Sequence, residues 1–556
     1  MGHPHGHGWA GVRIGRRRLL RHTIGAAGAI GLAPLAGLPR SGANRASAAP
    51  AAGRRGGTLV SMVVAEPTSM DIASGAGQHN YAIMSNVFEN LLYWDDKDFG
   101  IKNGLAESYE VSNDGLAWTF KLRKGVLFHD GTEMDAEAVR FTYSRILDPS
   151  NEYYKLGQPF PLIDFWYGAI DPTRTIVHDK YTVTLRLKYP FSPLEGYLAW
   201  PAAGIVSPTA VKKYRGAFRE HAVGTGPFKF VSWVHNQKVT FTRNDRYWGA
   251  QVPGVGSASL DQLVFRPIIE EQTRVTELLA GNIDFAYDLP PDNVAQVKAN
   301  SRIEFLQTPL GHVWFVALNT KAGPTKNVKV RHAIATAIDK GALIKDILKG
   351  TGVPATGPVP SVIAYAYKKE PSEYNPDKAK QLLREAGYPN GFSTKFWVPE
   401  SGSGMQSPKP MGEAIQAMLQ QVGIRAQLQV FEWGAYLNQY SKGMPDDVGM
   451  AEMSWFTSDA QNDAKLDLTC EAVSPKGYNP GYYCNPSVDG LLKQFFATID
   501  KSKQAALMYR LQDIVYNDMP NVYVDTQIDT AGLSTKFTGF SLHPSQLLRF
   551  WKTHLA

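Results

Sequence analysis

Between Leu260 and Ala286 the sequence passes from strand to helix to strand with few residues between them. Leu260–Phe265 reads as a strand. Glu270–Leu279 reads as an amphipathic helix, stopped by Gly281. Ile283–Ala286 is again a strand. That order specifies an α/β lobe. Similar punctuation recurs after Gly311. Trp314–Asn319 is a predicted strand, and Val328–Arg331 enters a helix that turns Ile334, Ala337 and Ile338 inward. Asn375 caps and Pro376 opens a helix that ends at Gly387. Met411–Val422 forms another, ended by Gly423. Ile424–Val430 alternates as a half-buried strand, and Ala505–Val515 is a late helix. At 556 residues the chain has room for two or more such cores.

The first half reads in the same way. Leu59–Val64 is a predicted buried strand. It runs into the loop Glu66–Asp71, at the kind of strand end where open α/β sheets gather ligands, which makes Thr68 and Ser69 candidate contacts. Asn86–Tyr93 is expected to be helical. Ser108–Val111 and Trp118–Leu122 form a hairpin through Asn113-Asp114-Gly115, with Trp118, Phe120 and Leu122 on one face. A helix over Asp135–Ile146, with Val139, Tyr143 and Ile146 inward, follows a capping-box pattern at Thr132 and Asp135. Thr182–Leu187 alternates as a strand. Gly224-Thr225-Gly226 lacks both the lysine of a phosphate loop and the third glycine of a dinucleotide fingerprint, so no nucleotide site is assigned.

The formal charge of +7 is concentrated at the start. Residues 1–48 hold seven arginines and no acid, which leaves the remainder balanced and gives no argument for nucleic acid as a partner. Arg16-Arg17-Arg18, the uncharged run Ile24–Leu38 and Ala46-Ser47-Ala48 are the three parts of an export signal cleaved near Ala48, twin-arginine-like in its basic region. The apolar run is too short to span a bilayer comfortably. No cysteine follows it to carry a lipid, so the mature protein is expected to be soluble in the periplasm. His3, His5 and His7 would leave with the leader. Cys470 and Cys484 have no metal-type spacing, and in an oxidising compartment they are expected to pair.

Taken in order, these landmarks resemble the peptide/nickel/opine family of extracytoplasmic solute-binding proteins, the receptors of ABC importers. The resemblance rests on the opening Gly56-Gly57-Thr58-Leu59, the Leu105–Thr132 hairpin, Gly224–Phe228 followed by Arg243, Asn244, Tyr247 and Trp248, and the run from Phe315 to Gly352. It implies an α/β bilobal periplasmic-binding-protein fold of the large, three-subdomain type, with a ligand cleft between hinged lobes. The N-terminal lobe would comprise residues 49–310 completed by 528–556, and the C-terminal lobe residues 311–527. It also implies a small solute, a membrane permease as partner, a monomer, and neither cofactor nor metal. Trp455 and the acidic segment after it are most similar to the dipeptide/oligopeptide branch, whose second-lobe disulfide Cys470 and Cys484 would match.

In that branch an acidic residue after the tryptophan holds the ligand's α-amino group, which points to Asp459 first and Asp463 second, with Ser458 beside them. A charge-assisted hydrogen bond suits this task. The loop Glu400–Lys409 lacks the arginine with which dipeptide receptors hold the ligand carboxylate. Its Glu400, Ser401 and Ser403 suit a cationic or polyhydroxylated group instead. Trp314, Trp397, Trp433 and Trp455 lie near inferred strand ends and suit either stacking on a ligand or core packing. His312, at the inferred lobe junction, reads equally as a ligand contact or a hydrogen-bonded structural histidine. The solute is therefore peptide-like or, on the same scaffold, an opine, a sugar conjugate or a metal chelate. An exported hydrolase is the alternative of another class. It lacks a Gly-x-Ser-x-Gly elbow and a His-Glu-x-x-His motif, and no catalytic residue is assigned.

Overall fold

The structure, a computed structural model, describes residues 54–75, 77–157, 162–252, 255–402 and 404–556. The export signal expected at 1–48, its cleavage point and Ser403 lie outside the described residues. The fold is organised about one long strand, Asn521–Ser534. Its first residues pair antiparallel with His312–Leu318, and its later ones with Ile303–Pro309 and Phe285–Tyr287. On one side the sheet continues through Val448–Phe456, Phe392–Pro399 and Ile424–Phe431. On the other it continues through Thr58–Val63, Gln262–Pro267, Lys238–Arg243 and Phe228–Val234. Thr58–Val63 and Gln262–Pro267 run parallel in register from Thr58 opposite Gln262 to Val63 opposite Pro267. The helix Glu271–Ala280 that follows ends at Gly281, where the sequence places its stop.

The apolar cores divide along this sheet. One core gathers residues from Leu59 to Ile303 together with Ala531, Leu533 and the tail through Phe550. Two others draw on residues from Val313 to Val524. The result is a mixed α/β protein of two lobes. Helices Val328–Ala337, Pro376–Glu385 and Pro408–Gln421 cover the second lobe, with Asn327 and Asn375 capping the first two through their side chains.

A separate antiparallel sheet of four strands carries the hairpin, in the order Ala106–Val111, Ala117–Leu122, Thr182–Leu187, Ile170–Asp179. Gly115 turns the hairpin at φ 70°, and Val111 lies opposite Trp118. Trp118, Phe120 and Leu122 are all buried, as their alternation requires.

Two local expectations are corrected. Asn86–Tyr93 is not a helix: the helix lies upstream, at Gln78–Met84, and a strand begins at Leu92. The Asn86 side chain donates back to Ala82 O and Ile83 O and across to Leu548 O, tying up the helix end. The helix Ala136–Leu147 is capped by Asp135, whose carboxylate accepts from Ala138 N. Thr132 instead belongs to the preceding turn, bonded to Asp130.

Candidate ligand-binding site

The strand Val448–Phe456 delivers the segment 457–461 to the junction of the lobes. There it faces the segment 94–101 and the residues around Glu195, closing a cavity of about 320 Å³. Trp94, Phe99 and Glu195 contribute from the first lobe, Tyr365, Asp459 and Lys501 from the second. The volume is at the small end of the range of roughly 300–1,000 Å³ typical of small-molecule sites. A second pocket, over Glu89, holds only about 40 Å³, too little for a peptide.

Asp459 accepts one backbone hydrogen bond, from Gln461 N at 3.3 Å. Burial raises its pKa to about 6, against the opposing pull of that donor and of Lys501. Lys501 donates to Glu195 Oε2 at 2.7 Å, and the Tyr109 hydroxyl donates to Glu195 Oε1. Glu195 is thus held by a strand of its own lobe while it grips a lysine of the other.

Further polar contacts join the lobes beside the cavity. Gln461 Nε2 donates to the Tyr197 hydroxyl, which donates to Asn462 Oδ1, each at 2.9 Å. Lys465 Nζ donates to Phe165 O at 3.0 Å and sits 3.9 Å from the centre of the Phe165 ring. Aromatic side chains continue the contact inward: Phe456 lies 5.2 Å from Trp200, which lies 5.5 Å from Trp94.

Of the residues singled out from the sequence, Ser458 and Asp459 line this cavity. Thr68 and Ser69 do not. Ser69 is buried, bonded to Asp71 N and Ser74 Oγ, and Thr68 N donates to Asn80 Oδ1. The buried ion pair between Asp71 and Arg145 turns this loop into the lobe. His312 is buried against Phe456, with Nδ1 3.3 Å from Ser454 Oγ. Burial lowers its pKa to about 4, so the ring is neutral at ordinary pH. Trp314 belongs to the second lobe's packing, and Trp397 donates through Nε1 to Gln429 within it. Trp433 stacks on Tyr436, and Trp455 meets Tyr440 and Tyr478 edge-on. Glu400 and Ser401 are exposed, outside the cavity lining. Asp463 falls within the helix Asn462–Asp467 and turns inward beside Asp467; burial and that neighbouring carboxyl push its pKa well above the carboxylate range. Cys470 and Cys484 form the expected disulfide.

Trp94, Phe99, Glu195, Tyr365 and Lys501 escaped the sequence reading. Lys501 opens the helix Lys501–Asp518 and carries only the local signature of a surface charge, and Glu195 is 306 residues away from it.

Comparison with known proteins gives these features a setting. The family model for bacterial extracellular solute-binding proteins, family 5 Middle, matches residues 100–474. The glutathione-binding protein GsiB of Pectobacterium atrosepticum is 33% identical over 487 residues, covering 87% of this chain and 91% of that protein. The solved structure of DppA from Helicobacter pylori in complex with the peptide STSA matches at a TM-score of 0.75 and 29% identity, over 90% of this chain and 98% of that one. AgaA of A. tumefaciens R10 in complex with agropinic acid matches at a TM-score of 0.72 and 27% identity, over 90% and 99%. The match to the family model covers well over half of the sequence, and the relatives align over nearly their whole length. This chain therefore belongs to the bacterial extracellular solute-binding proteins of family 5.

Proposed function

We propose that this protein is the periplasmic solute receptor of an ABC importer and that it closes on a peptide-like solute whose ammonium group is held by Asp459. The observation that carries the reading is Asp459 itself, a carboxyl with one backbone donor on the wall of a cavity built by both lobes. In this reading one lobe comprises residues 49–310 with 528–556 and the other residues 311–527, in keeping with the division of the apolar cores. Contacts to both lobes let a ligand shift the population toward the closed form, which a membrane permease then recognises. The protein acts as a monomer and carries out no reaction on the solute.

Similarity to proteins named for glutathione binding, and to DppA holding STSA, favours a short peptide, with glutathione the first to test. Native mass spectrometry of protein purified from its own periplasm is the direct experiment. A copurifying peptide mass is expected; a single non-peptide mass would overturn the peptide assignment. The second reading is an opine or related conjugate on the same scaffold. It is favoured by the likeness to AgaA with agropinic acid and by the absence of arginine from the loop Glu400–Lys409.

A further inference from the structure

Beside Asp459 the cavity rim carries an ammonium, that of Lys501, whose side chain is 64% exposed. Lys501 is the first residue of its helix, immediately after the cap Asp500, whose carboxylate accepts from Ser502 N and Lys503 N. Its Nζ spends one hydrogen on Glu195, and Glu195 is in turn held by Tyr109. A lysine ammonium has three donors, so two are open to solvent or to a ligand at the cavity rim. Among the described residues lining the cavity Lys501 is the one cation, set against Asp98, Glu195 and Asp459. Burial opposes its charge, but the hydrogen bond to Glu195 and the fields of Glu195, Tyr365 and Asp459 outweigh that and hold its pKa above the ordinary lysine value.

A carboxylate and an ammonium within electrostatic reach of one another on one wall are complementary to a ligand group that carries both charges on neighbouring atoms. The N-terminus of an ordinary α-linked peptide does not qualify: its ammonium stands next to an amide carbonyl. A γ-linked glutamyl residue does, because the peptide bond is made through the side chain and the α-carbon keeps both its ammonium and its carboxylate. We propose that Lys501 binds the α-carboxylate beside the α-ammonium held by Asp459, so that the site selects γ-glutamyl peptides over their α-linked isomers. This rests on the peptide reading above and names the head group that reading leaves open. In an α-linked isomer the carbonyl beside the ammonium is neutral and the second carboxylate stands at the end of the glutamyl side chain, away from the α-carbon. Lys501 therefore meets a charged acceptor next to the ammonium only in the γ-isomer, and a hydrogen bond to a charged acceptor is worth more than one to a neutral acceptor.

The test is calorimetric titration with two peptides of identical composition, γ-Glu-Cys-Gly (glutathione) and α-Glu-Cys-Gly. The wild-type protein is expected to bind the γ-isomer at least about tenfold more tightly. Lys501→Met should remove most of that preference by weakening the γ-isomer alone, with affinity for the α-isomer serving as the control for folding, and Lys501→Arg should restore part of it. Equal affinities in the wild type, or an undiminished preference in Lys501→Met, would overturn the inference and leave the peptide reading standing. Binding of neither peptide would likewise overturn the inference, and the mass that copurifies then decides the peptide reading separately.

Discussion

Asp459 lies against Gly196, where a Cβ would stand 3.7 Å from Oδ2, and both residues line the cavity. A carboxyl so placed is ionised only above its raised pKa of about 6. The sign of the pH dependence follows. Above pH 6 the carboxylate attracts an ammonium; below it the group is protonated and neutral while the ligand amine stays charged. Affinity for an amine-bearing peptide should hold from pH 8 to 7 and fall between pH 6 and 5, by up to about tenfold per unit, measured by titration calorimetry in buffers of matched ionic strength. A flat profile would remove Asp459 from the binding step. That Ser458 and Asp459 line the cavity could be anticipated because the tryptophan-led acidic segment that resembles the peptide receptors is local in sequence. Glu195 and Lys501 were not, because their meaning comes from an ion pair across the lobe junction and neither has a neighbour in sequence that marks it. The tryptophans show the converse limit. Trp314 lies on a predicted strand and Trp397 near an inferred strand end, but alternation does not say which face of a buried sheet a ligand approaches, and both face packing.

Among the elements, those fixed by short-range chemistry match their predictions within a few residues: the hairpin about Gly115, the helix opened by Asn375-Pro376, the strand from Ile424. Asn86–Tyr93 misled because its apolar spacing is helical while its side chains are engaged by distant partners, Glu89 by Thr225, Tyr247 and Trp248. The same partnership explains Gly224-Thr225-Gly226. A Cβ on Gly224 would come within 2.1 Å of Val87 O, so glycine is required for the backbones to approach rather than to cradle a phosphate. Gly224→Ala should therefore lower stability, by about 1–3 kcal/mol on the scale of overpacked interiors, read from chemical denaturation. Gly281→Ala, with open space around its Cβ but a left-handed backbone, should cost less. The disulfide across a separation of 14 residues is expected to contribute about 3 kcal/mol in the chain-entropy model. Replacing both cysteines by alanine should lower the melting temperature, and alkylation of the wild type without reductant should label neither thiol.

At the scale of the molecule, the strand Asn521–Ser534 carries the architecture, yet it was the hardest element to read. Asp525, Thr526, Gln527, Asp529 and Thr530 interrupt its apolar pattern, and all are buried because the strand is paired on both sides. Antiparallel partners from both halves of the chain meet on it, so the two lobes share one sheet while keeping separate cores. The α/β class was legible from the repeated strand–helix–strand order and the two-lobed arrangement from the family resemblance; the strand that joins the lobes is specified by long-range pairing alone. In the proposed function a ligand that spans the junction is the effector of closure, with Asp459 as its anchor. Titration calorimetry of the wild type and of Asp459→Asn with glutathione at pH 7.5 tests this most directly. The wild type should give saturable one-to-one binding and Asp459→Asn an affinity at least about tenfold weaker at unchanged melting temperature; equal binding by the two proteins, or no binding by either, would contradict it.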